Sequence, residues 1–376
     1  MFAKIQSPQY IQYLNAKAAQ QRIPLVGTFE LTPQCNMHCK MCYVRMTPEQ
    51  MQATGRQPLT IRQWIELAKQ AKEAGMLFVL LTGGEPFLYS GFQELYLRLY
   101  KMGYLISINS NGTMIDEKLV AWLRNNPPLR INITIYGASN ETYARLCGNP
   151  NGFTEVMRAI RLLREAGIQV KLNYSVTPDN VQDLKEILDF SDREKLVLQA
   201  AAYMFPPLRR DENAKGKNFR LSAEEAGELE AWIRHEQLGS EQFEAYCRTL
   251  PANPVPCSKD GNLPSQGDKI SCGAAKNNIW ITWDGRALPC GMLNEPWVDL
   301  NLVYPFSEAW KSLVSQMEEN CLPASCSVCT HKAVCKACAA MCYTETGSFD
   351  KTPTYKCRMA ENTVRALRAF RNTNDL

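Results

Sequence analysis

Short apolar runs alternate with helical patterns along residues 24–220. Six runs rich in apolar and β-branched residues have the length of strands: "PLVGTFELT", "MLFVLLT", "YLISINS", "RINITIYG", "IQVKLNYSV" and "KLVLQAAAYMF". The segments between them have the period of amphipathic helices, as in "TIRQWIELAKQAKEAG", where apolar residues recur every three or four positions. This alternation predicts βα units around a parallel sheet.

The number of units predicts a barrel that does not close. A closed eight-unit barrel needs about 250 residues, which is more than residues 24–220 provide. We therefore expect an α/β fold with a partial (β/α)6 TIM-like barrel that is open on one side. Ligands of such a fold bind at the carboxyl ends of its strands.

Composition and charge narrow the classes of partner. The chain has 42 basic and 38 acidic residues, and a formal net charge of +4 over 376 residues is too small to indicate nucleic acid or an anionic membrane surface. The first residues, "MFAKIQSPQYIQYLNAKAAQQR", lack the continuous apolar core of a signal peptide, and the longest apolar run is only strand-sized. We expect a cytoplasmic protein without a nucleic-acid or membrane partner.

Cysteines are concentrated toward the end of the chain. Fifteen thiols without a secretory signal favour metal ligation over disulfides, because cytosolic thiols stay reduced. Ten of them lie between residues 257 and 357. This density predicts a separate cysteine-rich domain over residues 257–360, with a linker helix in residues 221–256 before it and a helix and tail in residues 361–376 after it. Residues 1–23 are an N-terminal segment.

The segment "CNMHCKMCY" places Cys35, Cys39 and Cys42 directly after the first strand. Three thiolates supply three of the four ligands of an iron–sulfur cube and leave one iron open to an external ligand. A zinc site would need a fourth ligand, and no Cys or His follows shortly after Cys42. The second strand ends in "GGEP". Together the two motifs resemble the radical S-adenosylmethionine (radical SAM) superfamily.

The resemblance implies a set of cofactor-binding residues. In that family the open iron chelates the methionine moiety of SAM, the glycine-rich segment binds its amino group, and later strand ends contact its ribose and carboxylate. Glu85 would pair with the ammonium, and Tyr43 would contact the adenine because Met41 stands where the family often has an aromatic residue. The matching residues are Tyr43, Gly83, Gly84, Glu85, Pro86, Asn109, Ser110, Asn111, Thr134 and Arg145.

The cysteine-rich end contains a hairpin pattern, "NNIWIT" and "RALPC" around "DG", followed by "CSVCTHKAVCKACAAMC". It resembles the SPASM domain, which carries auxiliary 4Fe-4S clusters, and implies three 4Fe-4S clusters in all. Carried over by order, the first auxiliary set is Cys257, Cys272, Cys290 and Cys338, and the second is Cys326, Cys329, Cys335 and Cys357.

Two alternatives stay open for these cysteines. Cys342 is an alternative to Cys338, because Cys335 and Cys338 are separated by two residues where the usual pattern has three. Spacing alone also allows a zinc ribbon. The unassigned thiols are expected to be buried small apolar residues; they are Cys147, Cys247, Cys321 and Cys342.

The stretch "IYGASNETYARLCGNPNGF", followed by "VTPDN", resembles the branch whose members modify peptides or protein side chains. The implied enzyme cleaves SAM reductively to a 5′-deoxyadenosyl radical, abstracts hydrogen from an unactivated carbon and forms a thioether, ether or carbon–carbon crosslink in a ribosomally made peptide. A sulfatase-type maturase and a peptide epimerase remain alternatives, with Cys147 and Cys342 as candidate hydrogen donors for the epimerase. A zinc-bound scaffold without catalysis is the alternative from another class.

The implied partners are a peptide or protein substrate and a low-potential electron donor such as flavodoxin or ferredoxin. Because only 23 residues precede the first strand, we expect leader recognition, where it occurs, to come from a separate protein. The sixth strand ends in "YMFPPLRR", which offers Tyr203, Arg209 and Arg210 as candidate substrate contacts at the open side of the barrel. A solvated exit loop is the alternative interpretation.

Overall fold

The computed structural model describes residues 8–250, 264–301 and 305–374. Within these ranges nine strands form one sheet in the order β6-β5-β4-β3-β2-β1-β7-β8-β9, and the sheet does not close. The strands are β1 (Val26–Glu30), β2 (Phe78–Thr82), β3 (Leu105–Ser110), β4 (Arg130–Thr134), β5 (Val170–Ser175), β6 (Val197–Ala201), β7 (Asn278–Ile281), β8 (Arg286–Leu288) and β9 (Val298–Asp299).

Fourteen α-helices lie in the same described ranges, most of them following a strand. They are α1 (Pro8–Gln21), α2 (Pro48–Ala53), α3 (Ile61–Glu73), α4 (Phe92–Lys101), α5 (Glu117–Asn125), α6 (Asn140–Cys147), α7 (Gly152–Glu165), α8 (Leu184–Arg193), α9 (Ala223–Arg248), α10 (Phe306–Glu318), α11 (Ala324–Ser327), α12 (Lys332–Cys335), α13 (Ala339–Thr346) and α14 (Thr354–Asn374).

Strands β1 to β6 are parallel, and each is hydrogen-bonded to the next. Helices cover one face of this sheet, and α3 begins where Thr60 accepts a hydrogen bond from the backbone N–H of Gln63. On α3, Trp64 stacks on Phe29 of β1 with ring centroids 5.0 Å apart. The predicted six-unit partial barrel is therefore confirmed, and its parallel strands bring all their carboxyl ends to one edge.

The cysteine-rich end continues the barrel sheet. Strand β7 pairs in parallel with β1, and β8 and β9 add antiparallel strands beyond it. The sequence predicted the β7–β8 hairpin but not its place beside β1, because pairing between strands some 250 positions apart leaves no local signal. The domain boundaries stay a prediction, and Cys257 lies outside the described residues.

Helices α9 and α14 pack against each other through a small apolar cluster that includes Phe243, Cys247 and Leu367. The linker helix α9 contains a break at Gly239, where φ is 70°. Helix α14 starts at Thr354, so the predicted boundary at residue 360 falls inside it. Its first turn therefore carries Cys357 and belongs to the cysteine-rich region as well as to the final helix. In the described part of the chain, no helix combines the length and apolar character needed to cross a bilayer.

A buried ion pair joins the barrel to the cysteine-rich region. Arg220 donates to the Glu345 carboxylate at 2.5 Å, and the two side chains are only 7% and 5% exposed. Glu345 also accepts a 2.6 Å hydrogen bond from the Tyr203 hydroxyl. The guanidinium of Arg220 lies 3.6 Å from the centroid of the Tyr355 ring, so residues from α13, α14 and the loop after β6 are held together.

Replacing Glu345 by glutamine (Glu345→Gln) should destabilise the fold by about 3–5 kcal/mol, because it leaves the buried Arg220 charge uncompensated. Urea unfolding of wild type and variant would measure the difference in the free energy of unfolding. The matched control is Asp189→Asn, which breaks an ion pair with Lys185 whose side chains are 57% and 62% exposed and should leave the free energy of unfolding near that of wild type. Equal losses in the two variants would contradict the structural role assigned to Glu345.

Candidate active site

A cavity of about 350 Å³ opens at the carboxyl edge of strands β2 to β5. Nine of the predicted cluster- and cofactor-binding residues line it, and they come from four separate segments. They are Cys39, Cys42, Tyr43, Gly83, Gly84, Asn109, Ser110, Asn111 and Thr134. Topology brings them together, since parallel strands end at the same edge of the sheet.

The loop after β1 carries the three cysteines, all half-buried. The Cys35 Sγ accepts hydrogen bonds from the Met37 backbone N–H at 3.4 Å and from the Asn111 Nδ2 at 3.6 Å. The Cys42 Sγ accepts one from the Arg45 backbone N–H at 3.3 Å. Burial raises the pKa of both thiols, whereas these donors favour the thiolate that a metal requires.

Cys39 has a different environment. Hydrogen bonds from Cys147 and Tyr136 lower its pKa, and the first of these effects is the largest. Cys147 is fully buried, as expected, and its carbonyl accepts a 2.7 Å hydrogen bond from the His38 backbone N–H. Cys147 therefore holds the cysteine loop through its thiol, which contacts Cys39, and its carbonyl, which contacts His38. The sequence did not predict these contacts.

Glu85 is fully buried and binds other parts of the protein instead of facing the cavity. Its carboxylate accepts hydrogen bonds from the Ser110 hydroxyl at 3.0 and 3.1 Å and from the Asn111 backbone N–H at 2.9 Å. Its own N–H donates to the Gln34 carbonyl at 2.9 Å. The expected pairing of Glu85 with an ammonium is not what these contacts indicate, because the side chain already holds the turn after β3.

Gly83 and Gly84 allow the backbone after β2 to approach the cysteine loop. A Cβ at Gly83 would lie closer than 3.0 Å to the Thr32 carbonyl oxygen, and one at Gly84 would meet the Gln34 carbonyl in the same way. The Gly84 N–H donates to the Thr32 carbonyl at 2.7 Å. The two glycines thus line the cavity and hold the start of the cysteine loop in place, and Pro86 is buried behind them.

Arg145 lies outside the cavity wall. It donates to the Asp179 carbonyl at 2.6 Å, and its side chain is 45% exposed. The Lys40 ammonium forms an ion pair with the Asp179 carboxylate at 2.6 Å. Because α6 carries Arg145 toward this surface cluster, a carboxylate-binding role for Arg145 does not agree with the described geometry.

The three residues proposed at the barrel mouth have different positions. Tyr203 lines the cavity, and Arg210 is exposed but does not line it. Arg209 forms a buried ion pair with Glu30 at 2.8 Å and donates to the Gly291 carbonyl at 3.0 Å. Glu30 accepts a second bond from the Trp280 indole N–H at 2.8 Å, so Arg209 is a structural tie and not a free substrate contact.

A second cavity, of about 570 Å³, lies in the cysteine-rich region. Six of the predicted auxiliary ligands line it: Cys272, Cys326, Cys329, Cys335, Cys338 and Cys357. Burial raises the pKa of the seventh, Cys290, and the neighbouring Cys338 and Cys272 raise it further. The described thiols therefore gather around one space.

Cys338 interacts with Cys272, Cys290 and Cys335, and Cys326 interacts with Cys329 and Cys335. The division of these thiols into two ligand sets stays a prediction. Cys342 is fully buried and absent from the cavity wall. This placement favours Cys338 over Cys342 as the ligand, and Cys257 has no described position.

In the described ranges, no three Cys, His, Asp or Glu side chains converge closely enough to hold a single metal ion. A zinc site requires sulfurs at about 2.3 Å from one centre. A cube takes its ligands on separate iron corners, which suits thiols grouped around a larger space. The thiols present therefore fit iron–sulfur ligation at the cysteine loop and in the cysteine-rich cavity.

Residues 29–191 match the sequence profile of the Radical SAM superfamily. They span β1 to α8 and contain the whole cysteine loop and the cavity edge of β2 to β5. These residues form a radical SAM domain. The chain accordingly contains a radical SAM domain, and the family that shares this domain uses SAM with a 4Fe-4S cluster.

Two curated relatives align with most of this chain. An AdoMet-dependent heme synthase of Methanosarcina barkeri is 24% identical, with 88% of this chain and 95% of that protein aligned. The antilisterial bacteriocin subtilosin biosynthesis protein AlbA of Bacillus subtilis is 23% identical, with 87% and 72% aligned.

Solved structures share the fold. Streptococcus suis SuiB bound to its precursor peptide SuiA has a TM-score of 0.65 at 16% identity, covering 93% of this chain and 80% of that chain. SuiB has also been solved bound to S-adenosylmethionine, with a TM-score of 0.61 at 16% identity over 92% and 80% of the two chains. At this identity the likeness shows the fold alone, including its cysteine-rich end.

The sequence motifs did not identify several residues that line the cavity. Tyr136 lines it near Cys39, and Met204, Phe205, Asn218 and Met292 form its outer part. Tyr136 lies two positions after Thr134, so the alternation of the strand that carries Thr134 could have indicated it. The other four come from the loop after β6 and the end of the hairpin, where no periodic pattern exists.

We expect Glu85→Gln to change the pH dependence of stability. Burial raises the pKa of Glu85 from its ordinary 4.5 to about 7, against the opposing effect of its hydrogen bonds. The unfolded chain therefore loses this proton at a lower pH than the folded one, and stability falls as the pH rises from about 4.5 to about 7. The difference corresponds to about 3 kcal/mol.

Urea midpoints of wild type and Glu85→Gln, measured at several pH values across that window, isolate this contribution. The wild type should lose stability that the variant does not lose. The exposed Glu117, paired with Arg158 at the surface, provides the control Glu117→Gln, which should keep the wild-type profile. Parallel profiles for wild type and Glu85→Gln would refute the assignment.

Proposed function

We propose that this radical SAM enzyme oxidatively modifies a peptide by abstracting hydrogen from one of its carbons. One observation carries the proposal: beside the residues assigned to the cofactors, the cavity next to the three-cysteine loop is lined by Met204, Phe205 and Met292. These side chains suit contact with an apolar side chain of a peptide segment.

The relatives support a peptide substrate. AlbA takes part in bacteriocin biosynthesis, and SuiB has been solved with a precursor peptide. A heme synthase is the second candidate, because one such relative aligns over 95% of its own length.

In this proposal the residues of the barrel edge hold the cofactors. Cys35, Cys39 and Cys42 ligate a 4Fe-4S cluster, which together with SAM supplies a 5′-deoxyadenosyl radical. Backbone groups at Gly83 and Gly84 face the amino end of SAM, and side chains at the ends of β3 and β4 face its ribose; the latter are Asn109, Ser110, Asn111 and Thr134. Tyr43 contacts the adenine. Glu85 and Pro86 hold the ends of β2 and β3 in position.

The cysteine-rich cavity holds two auxiliary 4Fe-4S clusters in this proposal. Cys257, Cys272, Cys290 and Cys338 ligate one, and Cys326, Cys329, Cys335 and Cys357 ligate the other. Full thiolate ligation suits electron transfer to or from the substrate, which a net oxidation such as a crosslink requires. The further partner is a low-potential electron donor, such as flavodoxin or ferredoxin.

Anaerobic reconstitution tests the proposal. The intact chain should bind about twelve irons, the number that three cubes contain, and should release 5′-deoxyadenosine from SAM when a reductant is added. A variant with alanine at Cys35, Cys39 and Cys42 should keep about eight irons and release none. The control Cys321→Ala removes a thiol without a proposed ligand role and should behave as wild type. Zinc in place of iron, without 5′-deoxyadenosine, would leave a cysteine-rich binding protein.

The mass of a modified peptide then identifies the reaction. Each crosslink or dehydrogenation removes two hydrogens from the peptide. An epimerase leaves the mass unchanged and introduces solvent deuterium at Cα, and it would replace the present proposal. Turnover of a tetrapyrrole in place of a peptide would favour the heme synthase alternative.

A further inference from the structure

Lys356 is a buried lysine at the start of α14, directly before Cys357. Its residue exposure is 7%. The Nζ donates to the Met359 Sδ at 3.5 Å and lies 5.5 Å from the centroid of the Tyr203 ring. Within the described ranges no carboxylate lies in ion-pair distance of it, and Glu345, which binds Tyr203, is already paired with Arg220.

These contacts do not compensate a buried ammonium. Removing a charged group from water remains costly even after the protein relaxes. A cation over an aromatic ring recovers only part of this cost, and a thioether is only a weak acceptor. A lysine therefore keeps its charge at this depth only where a further source of negative charge lies close by.

The neighbouring thiols provide that charge when they are ionised. The ammonium of Lys356 acts on Cys335 and Cys338, where it opposes the dominant effect of burial on their pKa. These two cysteines and Cys357 line the same cavity. Four thiolates around a 4Fe-4S core of charge +2 leave a net charge of −2, which is the compensation that Lys356 lacks.

We infer that Lys356 is the internal counter-charge of the auxiliary clusters and holds their reduction potential higher than thiolate ligation alone would. The inference rests on the proposed function, since it requires iron–sulfur clusters in the cysteine-rich cavity. A fixed positive charge favours the reduced, more negative form of a cluster. It therefore favours acceptance of an electron, the direction that a net oxidation of the substrate requires.

The position of Lys356 adds a geometric argument. The Tyr203 ring that it contacts lines the SAM cavity, while Cys335 and Cys338 line the cysteine-rich cavity. Lys356 thus lies between the two spaces. We assign Lys356 a positioning role without any contact to the reacting atoms.

The test is an EPR-monitored redox titration of the reconstituted full chain, with iron counted in each sample. Lys356→Met removes the charge and keeps an unbranched chain, Lys356→Arg keeps the charge, and Lys311→Met removes an exposed charge on α10. We expect the midpoint potential of the auxiliary clusters to become more negative in Lys356→Met and to stay near wild type in the other two. The cluster at Cys35, Cys39 and Cys42 should titrate as in wild type.

Loss of auxiliary iron in Lys356→Met, with iron kept in Lys356→Arg, would also support a required charge. Unchanged potentials in an iron-replete Lys356→Met would overturn the inference, and so would equal losses in Lys356→Met and Lys356→Arg. Wild-type protein without auxiliary iron would instead refute the proposed auxiliary clusters. The iron count therefore separates failure of the inference from failure of the function on which it rests.

Discussion

One buried carboxylate, that of Glu85, connects the three segments that form the site. Its backbone N–H bonds to Gln34 just before the cysteine loop, and its side chain holds the turn at Ser110 and Asn111. Asn111 in turn donates to the Cys35 sulfur. The cysteine loop, the end of β2 and the end of β3 are thus fixed relative to one another, and a buried carboxyl with a raised pKa is the energetic cost of that arrangement.

Two arginines of the loop after β6 form ion pairs with glutamates that do not line the cavity. Arg209 is neutralised by Glu30 on the side of β7, and Arg220 is neutralised by Glu345 on the side of α13. Both pairs also tie the barrel to the cysteine-rich region. The same contacts that assemble the two parts therefore leave the lining of the cavity uncharged.

Local signals explain what the sequence predicted well. The spacing of Cys35, Cys39 and Cys42, the glycines after β2 and the alternation of strands and helices are all patterns within a few residues, and the partial barrel follows from them. Contacts between distant segments leave no such pattern. The place of β7 beside β1, the Cys147 contact with Cys39 and the Glu30 partner of Arg209 depend on the assembled fold. Arg145 shows the reverse case, since its motif position predicted a cofactor contact and the structure places its side chain against the Asp179 carbonyl.

The central claim is that SAM binds at the barrel edge, on the cluster held by the loop after β1. The most direct measurement is the EPR spectrum of the reduced, reconstituted chain before and after SAM is added. The account predicts that SAM changes the signal of one four-iron cluster and leaves the spectrum of a variant with alanine at Cys35, Cys39 and Cys42 unaltered. A reduced wild-type spectrum that SAM does not change would contradict it.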